Sequence, residues 1–311
     1  MMSVGPSASA IVAFLVLLVG APLVPGVISR TKSIATGRRG APVWQLYADL
    51  LKMARRGAVY STTASWMFRL APPLLVATAL AAATLVPLDG HTSLVGFSGD
   101  AVAFAYLLGL GRFSLVLAAL DTGSSFEGMG ASREVTFASL VEPGLFVSLA
   151  ALGVAARDFS LGPMVGAGPA VTSASITPAA VMTALSVFAL ALADCSRVPV
   201  DDPTTHLELT MIHEVMVLDH SGPDLALVMY ANALKLGLFA SIVGNVLLLG
   251  AHAPGWWGVP VLAASLVLFG VAVGVVESVM ARLRLPKVSL YIAGASSLAL
   301  FGLILILQRA S

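Results

Sequence analysis

Charge and cysteine are both scarce in this chain. Asp, Glu, Lys and Arg make up 11% of its 311 residues and hydrophobic residues 58%, where an average soluble domain is roughly 25% charged. That shortage excludes an ordinary hydrated surface, and the apolar runs reach about 20 residues, enough for a helix to cross a bilayer. A formal charge of +1, with no basic stripe to neutralise phosphates, excludes a nucleic-acid partner. The single cysteine, Cys195, excludes an internal disulfide and any four-cysteine iron–sulfur or zinc site built from this chain alone. No metal or cofactor is expected.

Other familiar chemistry is also missing. Thr122 to Glu134, TGSSFEGMGASRE, is glycine-rich, but it follows no strand and has no phosphate-loop lysine, so it reads as a connection. The pair His213 and Glu214 begins like the zinc-peptidase HExxH, yet position 217 is Val217. No nucleophile elbow occurs. No internal repeat is detectable, which argues against an inverted-repeat transporter.

What remains is an all-α integral membrane protein. Apolar runs between breakers predict about eight spans, near 8–28, 66–87, 101–120, 135–156, 178–194, 224–251, 257–281 and 289–308. No soluble domain interrupts them, and residues 1–311 read as one transmembrane domain. The first span lacks a charged leader and is longer than a signal-peptide core, so it reads as a retained helix. Arg30, Lys32, Arg38, Arg39, Lys52, Arg55 and Arg56 follow it. Basic connections stay cytoplasmic, and the alternate connections carry Arg133, Arg197, Arg282, Arg284 and Lys287. A multi-pass protein of the cell's inner (plasma) membrane is expected, with its main basic loops cytoplasmic and both termini outside. Within the first connection, Pro42 to Arg56 has Trp44, Leu46, Tyr47, Leu50, Leu51 and Met53 near one helical face. This predicts an amphipathic helix, lying in the lipid interface or packed on a soluble partner.

Charges within the spans are the candidate functional residues, since each is costly in hydrocarbon. Arg112 falls in the third span, Glu142 in the fourth, Lys235 in the sixth and Glu277 near the end of the seventh. The alternative for each is a structural ion pair or a side chain that snorkels to the surface, and Glu277 lies close in sequence to Arg282 and Arg284. The connection between the fifth and sixth spans adds Asp194, Asp201, Asp202, Glu208, Glu214 and Asp219, with His206, His213 and His220. From Pro203 onward it predicts a helix, with Asp202 as cap and proline in the first turn. The histidines suit proton exchange or plain hydrogen bonding.

Three segments resemble a known family. They are GRRGAPVWQLYADLLKM from Gly37, LDTGSSFEGMGASREVTFASLVEP from Leu120 and SRVPVDDPTTHLELTMIHEVMVLDHSG from Ser196. They are similar to the respiratory complex I subunit that joins the membrane and peripheral arms. Within that family they resemble the branch of membrane-bound group 4 nickel–iron hydrogenases and formate hydrogenlyases. The resemblance covers nearly the whole chain. Arg133, Glu142, Arg197, Pro199, Asp201 and Glu208 match positions of the complex I pattern. Glu134 and Lys235 follow the hydrogenase branch. Where complex I reads Pro-Glu-Ala-Glu, this chain has Pro203, Thr204, Thr205 and His206, and Asn232 stands near another glutamate position.

The resemblance implies a non-redox anchor and coupling subunit. Its implied partners are peripheral nickel–iron hydrogenase-like and iron–sulfur subunits, antiporter-like membrane subunits and the lipid bilayer. A proton or ion path is expected to draw on Arg112, Glu134, Glu142, Asp201, Asp202, Glu208, Glu214, Lys235 and Glu277. Arg38, Arg39, Arg133 and Arg197 are the expected docking residues. An independent ion transporter and a quinone-site subunit of complex I proper are the alternatives.

Overall fold

The computed structural model describes residues 7–165, 177–201, 211–248 and 255–310. The described residues form a helical bundle without strands. Its helices are α1 (Ala8–Gly20), α2 (Leu23–Ala35), α3 (Gln45–Ala54), α4 (Trp66–Leu85), α5 (Asp100–Asp121), α6 (Ser125–Ala156), α7 (Leu161–Val165), α8 (Thr177–Asp194), α9 (His213–Met216), α10 (Gly222–Leu248), α11 (Gly255–Val279) and α12 (Leu285–Ala310). Six are long and apolar enough to cross a membrane: α4, α5, α6, α10, α11 and α12. The expected first span is the pair α1 and α2, bent by 51° at their junction. The expected fifth is a shorter apolar helix over Pro178–Asp194. Part of the helix expected from Pro203 lies outside the described residues; its described end holds only the short α9.

The connections gather at two ends. At one, the Ser221 hydroxyl donates to the Val59 carbonyl and accepts from its amide. The Ser65 amide there donates to Asp121, and the Leu283 amide to the Pro199 carbonyl. This end carries the basic connections and is called the basic end. At the opposite end Leu161 donates its amide to Asp100, and Asn245 donates to the Pro87 carbonyl. With 32 residues at 1.5 Å rise, α6 is about 48 Å long and exceeds the ~30 Å hydrocarbon core. Its first turns therefore stand in the basic end.

The bend between α1 and α2 has a chemical cause. Pro22 lacks an amide hydrogen, so the Leu18 carbonyl four residues back loses its helical partner, and the 51° bend leaves the neighbouring Val19 carbonyl open as well. Two tyrosines from other helices supply the missing donors. Tyr47 of α3 donates its hydroxyl to the Val19 carbonyl, and Tyr230 of α10 donates to the Leu18 carbonyl at 3.2 Å. Proline in a membrane helix is tolerated where neighbours satisfy the freed backbone in this way. The amphipathic helix α3 is thereby tied to the bend, packing against α10 and α2 with Trp44 and Leu51 exposed.

At the opposite end the Asp89 carboxylate is fully buried. It accepts from the amides of His91 (2.9 Å) and Thr92 (2.8 Å) and from the Ser9 hydroxyl (2.8 Å) and Ser7 hydroxyl (3.1 Å). It locks the 86–99 connection onto the start of α1. Burial alone would raise its pKa; the Thr92 and His91 amides and the two hydroxyls outweigh burial and hold it below the ordinary 3.8.

Two outcomes follow from these contacts. Because the folded chain lowers the Asp89 pKa, its contribution is fully present above pH 3.8 and is lost as the pH falls through the lower folded value. Asp89→Asn should cost about 1.5–3 kcal/mol at neutral pH. In melting of the detergent-purified protein, the gap between wild type and variant should narrow on acidification; a gap independent of pH would refute the charge-based lock. Tyr230→Phe, which strands the Leu18 carbonyl, should cost about 1–3 kcal/mol. Tyr47→Phe should loosen α3 as well, seen as faster proteolysis within Gln45–Ala54.

Candidate functional site

The buried charges converge on Arg112. Its Nη1 donates to Glu142 Oε1 at 2.8 Å, Nη2 bonds to Asp194 Oδ1, and Nε lies 3.4 Å from Glu134 Oε1. Asp194 is shared: Lys235 Nζ lies 2.7 Å from its Oδ2 and donates to its main-chain carbonyl at 2.7 Å. One cluster therefore joins α5 (Arg112), α6 (Glu134 and Glu142), α8 (Asp194) and α10 (Lys235).

Local structure explains how these groups meet. Helix α5 carries no side chain at Gly109, where a Cβ would sit in ordinary contact 3.6 Å from Glu142 Oε1. Helix α8 ends in a left-handed residue, Ser196 (φ 51°). The Ser196 and Arg197 amides donate to the Ala193 and Leu192 carbonyls, a Schellman ending. The Asp194 carbonyl at this negative helix end is left for Lys235 to cap. On α6, a Cβ at Gly130 would approach the Ile212 carbonyl to 3.0 Å. Its absence lets the 211–216 segment lie against α6.

Three further ion pairs stand nearer the basic end. Glu277 Oε2 pairs with Lys32 at 2.9 Å and its Oε1 lies 3.7 Å from Arg197. The sequence placed Glu277 beside Arg282 and Arg284; Arg282 instead reaches Asp201 Oδ1 at 2.9 Å. The other Asp201 oxygen accepts from the Ile212 and His213 amides at 3.0 and 3.2 Å. The Asn232 side-chain amide donates to His213 Nε2 at 2.7 Å, which leaves the ring proton on Nδ1. Burial lowers the His213 pKa and favours the neutral ring. Burial likewise pushes the Cys195 thiol up to about 12, so it is no thiolate at neutral pH.

Three cavities run through these residues in series. The first, about 150 Å³, opens at the basic end between Pro25, Leu46, Arg197, Asp201, Glu214 and Met229. It shares Cys195, Ser196, His213 and Asn232 with the second, about 30 Å³, lined by Arg112, Glu134, Asp194 and Lys235. The second shares Arg112 and Asp194 with the third, about 20 Å³, which reaches Glu142, Tyr106 and Phe146. There the polar line comes out on a flank of the bundle: the Glu142 side chain is 46% exposed, beside Tyr106 at 68%.

Of the path residues expected from sequence, Arg112, Glu134, Glu142 and Lys235 form the central cluster. Asp201 and Glu214 line the first cavity. Glu277 adjoins it through Arg197. Asp202 and Glu208 lie outside the described residues. Asp194, Asn232 and His213 also belong to the site; from sequence Asp194 and His213 stood only among the acids and histidines of the connection before the sixth span, and Asn232 only near a glutamate position of the family. Asp194 reads as an ordinary polar residue closing a span, and the spacing of His213 and Asn232 says nothing of their pairing. Among the docking residues, Arg38 and Arg39 are exposed. Arg133 donates to the Met211 carbonyl at 3.0 Å, and Arg197 faces Glu277.

The chain is similar to known respiratory membrane proteins. The family model described as NADH dehydrogenase matches residues 8–307. Hydrogenase-4 component C of Escherichia coli (strain K12) is 34% identical over 230 residues, 73% of this chain and 70% of that protein. Formate hydrogenlyase subunit 4 of the same organism is 38% identical over 135 residues, 43% of this chain and 44% of that protein. A chain in the structure of the membrane-bound sulfane sulfur reductase, an archaeal respiratory membrane complex, superposes with a TM-score of 0.80 at 18% identity. That match covers 96% of this chain and 98% of the other, and it establishes the shared fold. By its matched length and its relatives, this chain belongs to the NADH dehydrogenase subunit 1 family, with hydrogenase-4 component C and formate hydrogenlyase subunit 4 among its relatives.

Proposed function

We propose that this chain is the non-redox membrane anchor and coupling subunit of a complex I-like, membrane-bound nickel–iron hydrogenase or formate hydrogenlyase. In this reading the basic end faces the cytoplasm across the inner membrane, both termini lie outside, and a peripheral hydrogenase-like and iron–sulfur module docks on the basic end. Exposed Arg38 and Arg39 are among the cations offered there. Electrons stay in the partner subunits, because one cysteine cannot hold a cluster.

One observation carries the coupling role: the polar line from the first cavity through Arg112 to half-exposed Glu142. Cavities of this size and polarity accommodate water, and a line of titratable groups with water can relay protons or field changes. A half-exposed carboxylate on the flank of a span is unfavourable against lipid. That supports a neighbouring membrane subunit, of the antiporter-like kind, at Glu142, and weighs against a transporter acting alone. The first cavity, at about 150 Å³, is below the ~300 Å³ at which ligand pockets commonly begin. This favours a water-filled entrance over a quinone site.

Purification of the intact complex through a tag on this chain should recover hydrogenase-like and antiporter-like partners. In membranes with normal amounts of that complex, Glu142→Gln and Lys235→Met should lower ion translocation per turnover at least several-fold. Unchanged translocation in both variants would reduce these residues to structural ion pairs. Ion transport by the reconstituted chain alone would favour the independent transporter.

A further inference from the structure

The central cluster holds three carboxylates, Glu134, Glu142 and Asp194, against two cations, Arg112 and Lys235. If all five were ionised, a net negative charge would sit where Arg112 is 9% exposed and Asp194 3%. An uncompensated buried charge is the costliest state such a cluster could adopt. A bound proton removes it, and the geometry distinguishes which carboxylate takes it.

Asp194 is the most strongly held as an anion, between Arg112 Nη2 and Lys235 Nζ. Glu142 accepts a hydrogen bond from Arg112 Nη1 at 2.8 Å and is 46% exposed. Glu134 is 8% exposed and has only a 3.4 Å approach to Nε. No hydrogen bond forms there, since Arg112 Nε is buried with no acceptor. The other titratable groups around the second cavity are Cys195, whose pKa burial raises, and His213, whose pKa burial lowers. Both are neutral at pH 7 and leave the charge count unchanged. Asp201 lies beyond, paired with Arg282.

Building on the coupling reading above, we propose that Glu134 carries the exchangeable proton of this cluster. A hydronium ion reaching the second cavity gives its proton to a Glu134 carboxylate oxygen, forming the O–H bond and leaving water and a neutral cluster. The reverse step returns the proton to water and restores the negative charge. Arg112 then feels the difference directly, with Glu142 and Asp194 on its remaining nitrogens. Glu134 is the loading position, and half-exposed Glu142 marks the outlet to the neighbouring subunit.

The test is infrared difference spectroscopy on the purified intact complex, reading the carbonyl stretch of protonated carboxylic acids by its shift in D₂O. Wild type minus Glu134→Gln should show one carboxylic acid lost per chain, and Glu134→Asp should restore a band at altered frequency. Lys235→Met removes a cation and should add one protonated carboxyl. Identical bands in wild type and Glu134→Gln would overturn the proposal. Should Glu134→Gln not assemble, Lys235→Met decides: no added carboxyl overturns the charge count on which the proposal rests. These readouts report where the proton resides and are independent of turnover. A failure here leaves partner recovery intact, whereas a failure of the coupling reading appears in partner recovery and translocation.

Discussion

Burying Arg112 is the constraint on which the rest of the structure depends. A guanidinium cannot shed its charge in a protein, and moving it out of water costs several kcal/mol even after relaxation. It is stable between α5, α6, α8 and α10 only because carboxylates from two other helices reach it. Those carboxylates fix where the helices sit. The Schellman turn at Ser196 ends α8 where Asp194 can be shared, and Lys235 holds that end from α10. Losing one partner would leave the others buried and unpaired, which is worse than replacing the whole set by apolar residues.

The broken first span serves the same site from the other side. Pro22 and the bend release two backbone carbonyls, and two tyrosines claim them. One tyrosine belongs to the amphipathic helix and the other to α10, which also carries Lys235. Pro25, from the bent span, and Leu46, from the amphipathic helix, line the entrance cavity. The bend, the amphipathic helix and the entrance are thus joined. Under the proposed function, a displacement of α3 at the docking face reaches the entrance through Leu46.

The ion pairs at the basic end divide the labour differently. Glu277 fastens α11 to α2 and to the turn after α8 through Lys32 and Arg197, while Arg282 fastens Asp201. The acidic connection is thereby pinned by cations from distant parts of the chain, and Asp201 is free to present its other oxygen to the Ile212 and His213 amides. This orders the segment that separates the first cavity from the second.

Sequence by itself determined the solvent of this protein, its number of crossings to within the broken and shortened spans, and its family. Those follow from apolar run length and from local motifs, which need no tertiary information. It also singled out Arg112, Glu142 and Lys235, because a charge inside an apolar run is costly wherever the helix packs. It did not reveal that Asp194 is shared by Arg112 and Lys235, nor the pairing of His213 with Asn232. It set Glu277 beside Arg282, five residues on, when the helix ends between them and Lys32 lies across the α2–α11 contact. Only the tertiary structure decided which opposite charges meet. Electrostatic energy depends on separation through space and on burial, and neither quantity is fixed by distance along the chain.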